Sequence, residues 1–309
     1  MATDIYDRYI WLNGKLVKAS DANINILAPT AQYGLNVFEG IRCYWNEDQN
    51  QLYAFRLKDH YNRLKRSQKL LQLEEKYTIK EMEEALKEVV IANNYKEDIS
   101  VRQTVFIEGF GSWASKTPVG MFVAPVVKAR ISPEYNKIGL HCCISSWQRI
   151  NDNSISPRIK CGANYINSRM AQLEALRNGY DTTIFLNNHG SVAEGPGSCL
   201  FIVRDGILIT PPITDSVLES ITRDSIIHIA KEQLNIPVIE RTIDRTELYI
   251  CDEAFLCGSA MEITPIFSVD RYIVGSGNIG EMTFKIQKKY FDITCNRDLS
   301  YPDWVTSIY

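Results

Sequence analysis

Histidine is scarce in this chain. Its four copies, His60, His141, His189 and His228, stand far apart, and no two share the spacing that sets a ligand pair on one helix face, so no metal centre is expected. No C-x-x-C occurs among the eight cysteines (Cys43, Cys142, Cys143, Cys161, Cys199, Cys251, Cys257 and Cys295). Their scatter reads as reduced thiols of a cytoplasmic protein, not as a disulfide framework. Neither G-x-S-x-G nor G-x-x-x-x-G-K-[ST] appears, which removes the serine-hydrolase elbow and the P-loop. Charge of one sign is lacking too: 34 Lys+Arg stand against 37 Asp+Glu, a net charge of −3, with no footprint for nucleic acid or an anionic membrane. The longest apolar run, Val119 to Val127, is broken by Gly120 and Pro125 and is too short to span a bilayer. The opening MATDIYDRY carries acids where a signal peptide carries bases, so export is not expected.

What remains is a chain of 309 residues, 45% hydrophobic and 23% charged, enough for two ordinary globular domains. Tyr9 to Val17 reads as a hairpin turning on Asn13-Gly14, and Ile41–Trp45 with Leu52–Arg56 as another. Lys58 to Leu71 has a helical pattern. Thr78 with Glu81 forms a capping box that opens a helix whose apolar stripe is Ile79, Met82, Leu86, Val89 and Val90. Strands are expected at Ile99–Ile107 and Val119–Val127. Pro125 and Pro133 bracket a connector, which sets the expected division: residues 1–124 as an N-terminal domain, 125–136 as linker, 137–309 as a C-terminal domain. In the second part strands are expected at Ile138–Ser146, Thr183–Asn187, Ser198–Val203 and Glu253–Cys257. A hairpin turns on Asp205-Gly206, and helices run from Ile166 to Arg177 and from Thr222 to Leu234, before Pro237. Strand clusters with helices between hairpins indicate mixed α+β domains.

Five local clusters can carry chemistry. In KCGANY, Lys160 sits beside the small residues Cys161, Gly162 and Ala163; a desolvated lysine there is an amine nucleophile able to form a Schiff base. In AEGPGS, Glu194 lies in a Gly-Pro-Gly loop that can close on a ring or phosphate. In LESITRD, Ile221 and Thr222 open a helix whose free N–H groups suit phosphate. YGLNVFEGIR reads as an irregular pocket-lining segment, and CGSAMEITP as a strand entering a small-residue turn that can hold an anion. Taken singly, each has a plainer and commoner reading: a surface lysine ahead of a helix capped by Asn164, an exposed acid in a strand connection, an ordinary N-cap at Ser220. Together they supply an amine, an acid and an anion cradle, the set that pyridoxal phosphate requires.

The sequence resembles the class IV (fold type IV) pyridoxal-phosphate aminotransferases, and among them the branched-chain-amino-acid aminotransferases. The resemblance is carried in order by YGLNVFEGIRCY, FRLKDHYNRL, SSWQR, KCGANYINSRMAQLEAL, GYDTTIFLNNHGSVAEGPGSCLF, GILITPP, ITRDSII and CGSAMEITP. It implies a two-domain fold of the D-amino-acid-aminotransferase-like type, α+β or α/β, with the cofactor between the domains, and a homodimer or an assembly of dimers. It implies that Lys160 bonds covalently to the cofactor and moves the proton. Glu194 would face the pyridine nitrogen, Tyr165 the ring oxygen and Leu218 a ring face. Arg56, Ile221, Thr222 and Ser259 would hold the phosphate. Tyr33, Phe38, Ser100, Arg102, Ser259 and Ala260 would shape the substrate pocket.

The implied reaction moves an amino group from a branched-chain L-amino acid to 2-oxoglutarate by a ping-pong route. Rival readings on the same scaffold are a lyase, an enzyme of larger or D-amino acids, and a cofactor-free binding protein. Three positions depart from the family pattern: Ser100 where tyrosine is usual, Ser220 where glycine is usual, and Cys199 where the loop usually ends in asparagine. Ser100 is expected to widen the substrate pocket.

Overall fold

The computed structural model describes residues 7–131 and 139–309. They form two compact units: one holds the residues up to Ala129 with Ile159–Ala163 and Ile293–Tyr309, the other Arg130–Arg158 and Asn164–Asp292. The expected division therefore differs at two places, because residues 159–163 and 293–309 join the first unit. Residues 132–136 of the expected linker, and Ile138 at the start of an expected strand, lie outside the described residues.

The first unit contains β1 (Tyr9–Leu12), β2 (Lys15–Lys18), β3 (Asn36–Asn46), β4 (Gln51–Phe55), β5 (Ile99–Ile107) and β6 (Val119–Val127), with α1 (Pro29–Tyr33), α2 (Leu57–Leu70) and α3 (Ile79–Asn93). The chain's last strand, β15 (Val305–Ser307), completes an antiparallel sheet in the order β15-β4-β3-β5-β6-β1-β2. Asn13 and Gly14 both take positive φ, +48° and +90°, as the tight β1–β2 turn demands. α3 starts where the capping box predicts, with Thr78 and Glu81 exchanging hydrogen bonds. One sheet face supplies Val37, Ile41, Val101, Val105, Met121 and Val123 to a core closed by Tyr61 and Leu64 of α2 and by Met82, Leu86, Val89 and Val90 of α3. By the alternation of strand side chains, Phe38, Gly40, Arg42, Ser100, Arg102 and Thr104 share the opposite face.

Two expectations fail here for physical reasons. YGLNVFEGIR is not irregular: Tyr33 closes α1, Gly34 turns the chain at φ +69°, and β3 begins at Asn36. Pro125 does not open a connector but lies inside β6, opposite Val101. The neighbouring strand β1 pairs only with Phe122 and Val123, so on that side a missing N–H at residue 125 costs no ladder bond.

The second unit contains β7 (Leu140–Ile144), β8 (Thr182–Ile184), β9 (Cys199–Arg204), β10 (Ile207–Thr210), β11 (Val238–Glu240), β12 (Glu253–Gly258), β13 (Glu262–Val269) and β14 (Tyr272–Ile273). They make a mixed sheet ordered β11-β10-β9-β12-β13-β7-β8, with β14 on β13 and parallel pairs at β10–β11, β13–β7 and β7–β8. Its helices are α4 (Tyr165–Arg177), α5 (Ile221–His228) and α6 (Glu281–Thr294). The helix expected to run from Thr222 to Leu234 is α5 continued by a wider π-helical stretch, Ile229–Gln233. Both units mix helices with sheets, which is the expected α+β class. Among the described residues no helix is long and apolar enough to cross a membrane.

Candidate active site

In the first unit the lysine segment is fastened to the start of β3. The Phe38 N–H donates to the Lys160 carbonyl at 2.9 Å, and Val37 and Cys161 form an antiparallel bridge. The Lys160 N–H donates to Ser67 Oγ of α2 at 3.2 Å. Gly162 is required by closeness: a Cβ there would stand 2.9 Å from Asn36 Oδ1. Ala163 lies against Gly34, next to Tyr33. With its backbone pinned, Lys160 carries Nζ 5.1 Å from the centre of the Phe38 ring, and the Arg102 guanidinium lies 3.9 Å from the same ring. One apolar ring thus gathers the amine and an exposed cation on the non-core face of the sheet. A Cβ added at Gly40, which pairs with Arg102 across β3 and β5, would meet nothing within 4 Å, so this face is open beside the arginine. Ser100 is on the same face, half-buried and paired with Arg42.

Beneath this face lies a buried charge network that the sequence reading missed. Glu39, fully buried on the core side of β3, accepts from Arg63 Nε at 2.8 Å and Nη2 at 2.6 Å, and from His60 Nδ1 at 2.7 Å. Burial alone would raise the Glu39 pKa, but the charges of Arg63 and then His60 hold it far below the usual carboxylate range. Burial pushes the His60 pKa down against the pull of Glu39, and the charges of Arg63 and then Lys160 push the same way. His60, Arg63 and Ser67 follow at helical spacing along α2, and two of them sense Lys160 directly. At the N-cap of α2 the Arg56 guanidinium pairs with Asp59 at 2.7 Å and lies 4.7 Å from the Trp304 ring. The structure gathers Lys160, Phe38 and Arg102 around one ring.

In the second unit Glu194 is buried. Arg149 Nε and Nη2 both reach its Oε1 at 2.8 Å, while Oε2 accepts the Leu218 N–H at 3.2 Å and lies 3.7 Å from the Cys199 thiol. Leu218 and Glu194 therefore meet as expected neighbours. A Cβ at Gly197 would stand 3.8 Å from the Tyr165 ring, and one at Gly258 would stand 3.3 Å from the Gly197 carbonyl. This loop thus collects Tyr165, Glu194 and the strand end that leads into Ser259 and Ala260. Ser220 caps α5 by accepting the Arg223 N–H at 3.2 Å. In a helix the first-turn N–H groups of Ile221 and Thr222 have no intrahelical acceptor, which suits them to an anion. The second unit thus brings together Glu194 and Leu218, sets Tyr165 beside the Gly197 end of the loop, and places Ile221 and Thr222 three and four residues beyond Leu218. Each unit by itself thus carries groups of the kind pyridoxal phosphate requires, the first an amine, the second an acid and a helix start, so the residue types present fit that group.

The comparisons agree. The family model for amino-transferase class IV matches residues 36–269. A probable branched-chain-amino-acid aminotransferase of Aquifex aeolicus is 37% identical over 305 residues, 97% of each chain. The branched-chain-amino-acid aminotransferase of Escherichia coli K12 is 38% identical over 290 residues, 92% of each chain. Among solved structures, the branched-chain aminotransferase of Thermobaculum terrenum in its pyridoxal-phosphate form superposes with a TM-score of 0.93 at 41% identity, covering 99% of this chain and 100% of that one. The enzyme of Thermoproteus uzoniensis with norvaline superposes with a TM-score of 0.92 at 39% identity, covering 98% and 99%. The chain belongs to the class IV aminotransferases. The relatives and structures just described are branched-chain enzymes of bacteria and an archaeon.

Proposed function

We propose that this aminotransferase uses pyridoxal phosphate to move the amino group of a branched-chain L-amino acid to 2-oxoglutarate. The reading is carried by Lys160, a primary amine whose backbone is pinned to β3 and α2 and whose Nζ stands beside Phe38 with Arg102. When bound, pyridoxal phosphate supplies an aldehyde that takes up amines and a cationic ring that draws electrons from the reacting carbon. Lys160 holds the cofactor through its amine and carries the proton to and from that carbon. Glu194, as a carboxylate, holds the proton on the ring nitrogen; Tyr165 donates to the ring hydroxyl oxygen, and Leu218 gives the ring an apolar surface. The N–H groups of Ile221 and Thr222 bind the phosphate, with Ser259. Arg56, at the start of α2, is the cation proposed for it from the first unit, since Arg63 is held on the core side by Glu39.

On the substrate side, Arg102 binds a carboxylate while Phe38 and the space above Gly40 take an apolar chain, so one site serves both partners of a ping-pong exchange. Tyr33, Ser100 and Ala260 complete the proposed pocket. A homodimer is supported by the exposed apolar stripe of α4, Ile166, Met170, Leu173 and Leu176. A cytoplasmic setting is supported by eight buried cysteines held in no disulfide.

Lys160→Ala is the test. The purified protein should absorb in the visible, and borohydride should fix the cofactor to the peptide bearing Lys160. The variant should lose both this adduct and turnover of leucine, isoleucine and valine with 2-oxoglutarate. Near-normal turnover in the variant would remove Lys160 from the chemistry.

A further inference from the structure

We propose that Arg149 is a positioning residue that keeps Glu194 ionised and confines its remaining acceptor capacity to Oε2, the oxygen left for the ring nitrogen. The proposal rests on the assignment of Glu194 above and concerns a residue to which that reading gave no role.

The geometry is a fork closed on one oxygen. Arg149 Nε–H and Nη2–H both point to Oε1 at 2.8 Å. An ionised carboxylate offers about two acceptor positions on each oxygen, so Oε1 is filled. On Oε2 the Leu218 N–H takes one position at 3.2 Å, and the Cys199 thiol at 3.7 Å is a weak donor. One strong position remains, on Oε2.

The fork is itself held. Arg149 Nη1 donates to Asn167 Oδ1 at 3.2 Å, the Asn167 amide donates to the Gln148 carbonyl at 2.9 Å, and the guanidinium lies 5.7 Å from the Phe185 ring. The Arg149 N–H donates to Leu186 O, and the Phe185 N–H to Glu194 O, both at 2.9 Å. One hairpin segment therefore anchors acid and base together.

Charge makes the arrangement necessary. Glu194 is 3% exposed and Arg149 8% exposed, and charges so deeply buried need a partner of opposite sign, which each supplies to the other. A protonated Glu194 cannot hold a second proton at the ring nitrogen. The other titratable groups around the carboxylate are the thiols of Cys199 on β9 and Cys257 on β12; a thiol is cationic in neither of its forms, and burial pushes the Cys257 thiol well up. Arg149 is the cation that meets the carboxylate directly.

The experiment loads wild type, Arg149→Met and Glu194→Gln with pyridoxal phosphate labelled with nitrogen-15 in the ring. Its readout is the nitrogen chemical shift across pH 5.5 to 9. Wild type should show the protonated-ring shift throughout. Arg149→Met should move toward the neutral-ring value and become pH-dependent. Its kcat should fall about 10- to 100-fold, the loss of one charge-assisted hydrogen bond, with little change in KM for the amino donor. Arg149→Lys, which keeps the charge but not the fork, should recover much of the shift, and it carries the same comparison if the methionine variant does not fold. A normal, pH-independent shift in a folded Arg149 variant with an altered shift in Glu194→Gln overturns this proposal and leaves the Glu194 assignment standing. Normal shifts in both overturn the assignment itself.

Discussion

Helices α3 and α4 are similar in length, and both carry an apolar stripe, yet they use it in opposite ways. In α3 the stripe faces inward: Met82, Leu86, Val89 and Val90 are buried against the sheet of the first unit. In α4 the buried residues are Ser168, Ala171 and Ala175, and the large apolar side chains Ile166, Met170, Leu173 and Leu176 are exposed. Periodicity reveals that a helix has two faces; it does not reveal which face meets the protomer's own core. Small residues let α4 lie close to its neighbours and leave the large ones as a surface that a monomer has no reason to keep.

Substitutions on the two helices sharpen this contrast. Leu86→Ala opens a cavity in the first core and should cost about 2–5 kcal/mol, read as a lowered urea midpoint at unchanged slope. Ala171→Leu forces bulk into the close-packed side of α4 and should cost about 1–3 kcal/mol in the same measurement. If Ala171 tolerates leucine freely, the small-residue face is not closely packed and the inside-out reading of α4 fails. Leu173→Ser should change protomer stability by no more than about 0.5 kcal/mol. Paired with Ile166→Ser, it should shift sedimentation toward the monomer. A pair that unfolds the protein while leaving its oligomer intact would show that the stripe is core after all.

Legibility in the sequence followed the same line. β5 and β6 were expected at the bounds they have, and Asn13-Gly14 and Asp205-Gly206 turn as their residue types require, because those signals are local. The start of β3 was not legible. Its core face reads Val37, Glu39, Ile41, Cys43, and the acid breaks the pattern until Arg63 and His60 arrive from α2 to neutralise it. β13 was not read as a strand because Pro265 sits inside it. Its neighbour β7 pairs only from Ile266 onward, so Pro265 falls where one ladder has not yet begun, the same circumstance that admits Pro125 to β6.

At the site, Glu194, Leu218 and Tyr165 were legible as residues of motifs; the first two are hydrogen-bonded, and Tyr165 lies by Gly197 of the same loop. Arg149 was quoted within SSWQR without a role, since nothing local ties it to an acid 45 residues later. Arg56 was named from the resemblance alone; only the fold shows it beside Asp59 and the Trp304 ring, and Arg63 buried beside Glu39.

The route of the chain has a consequence for biosynthesis. β15 lies at the outer edge of the first sheet beside β4, and the Trp304 carbonyl accepts the Arg56 N–H while its ring sits against Phe55. The residues that finish the first unit are thus made after those of the second. By then every residue of the second unit, with Glu194 and the start of α5, has been synthesised. Until residues 305–307 are made and docked, the β4 edge is open, a template for pairing with another chain. A nascent protein stalled before residue 305 would carry Glu194 and the whole of α5, while the sheet that fastens Lys160 still lacked a strand.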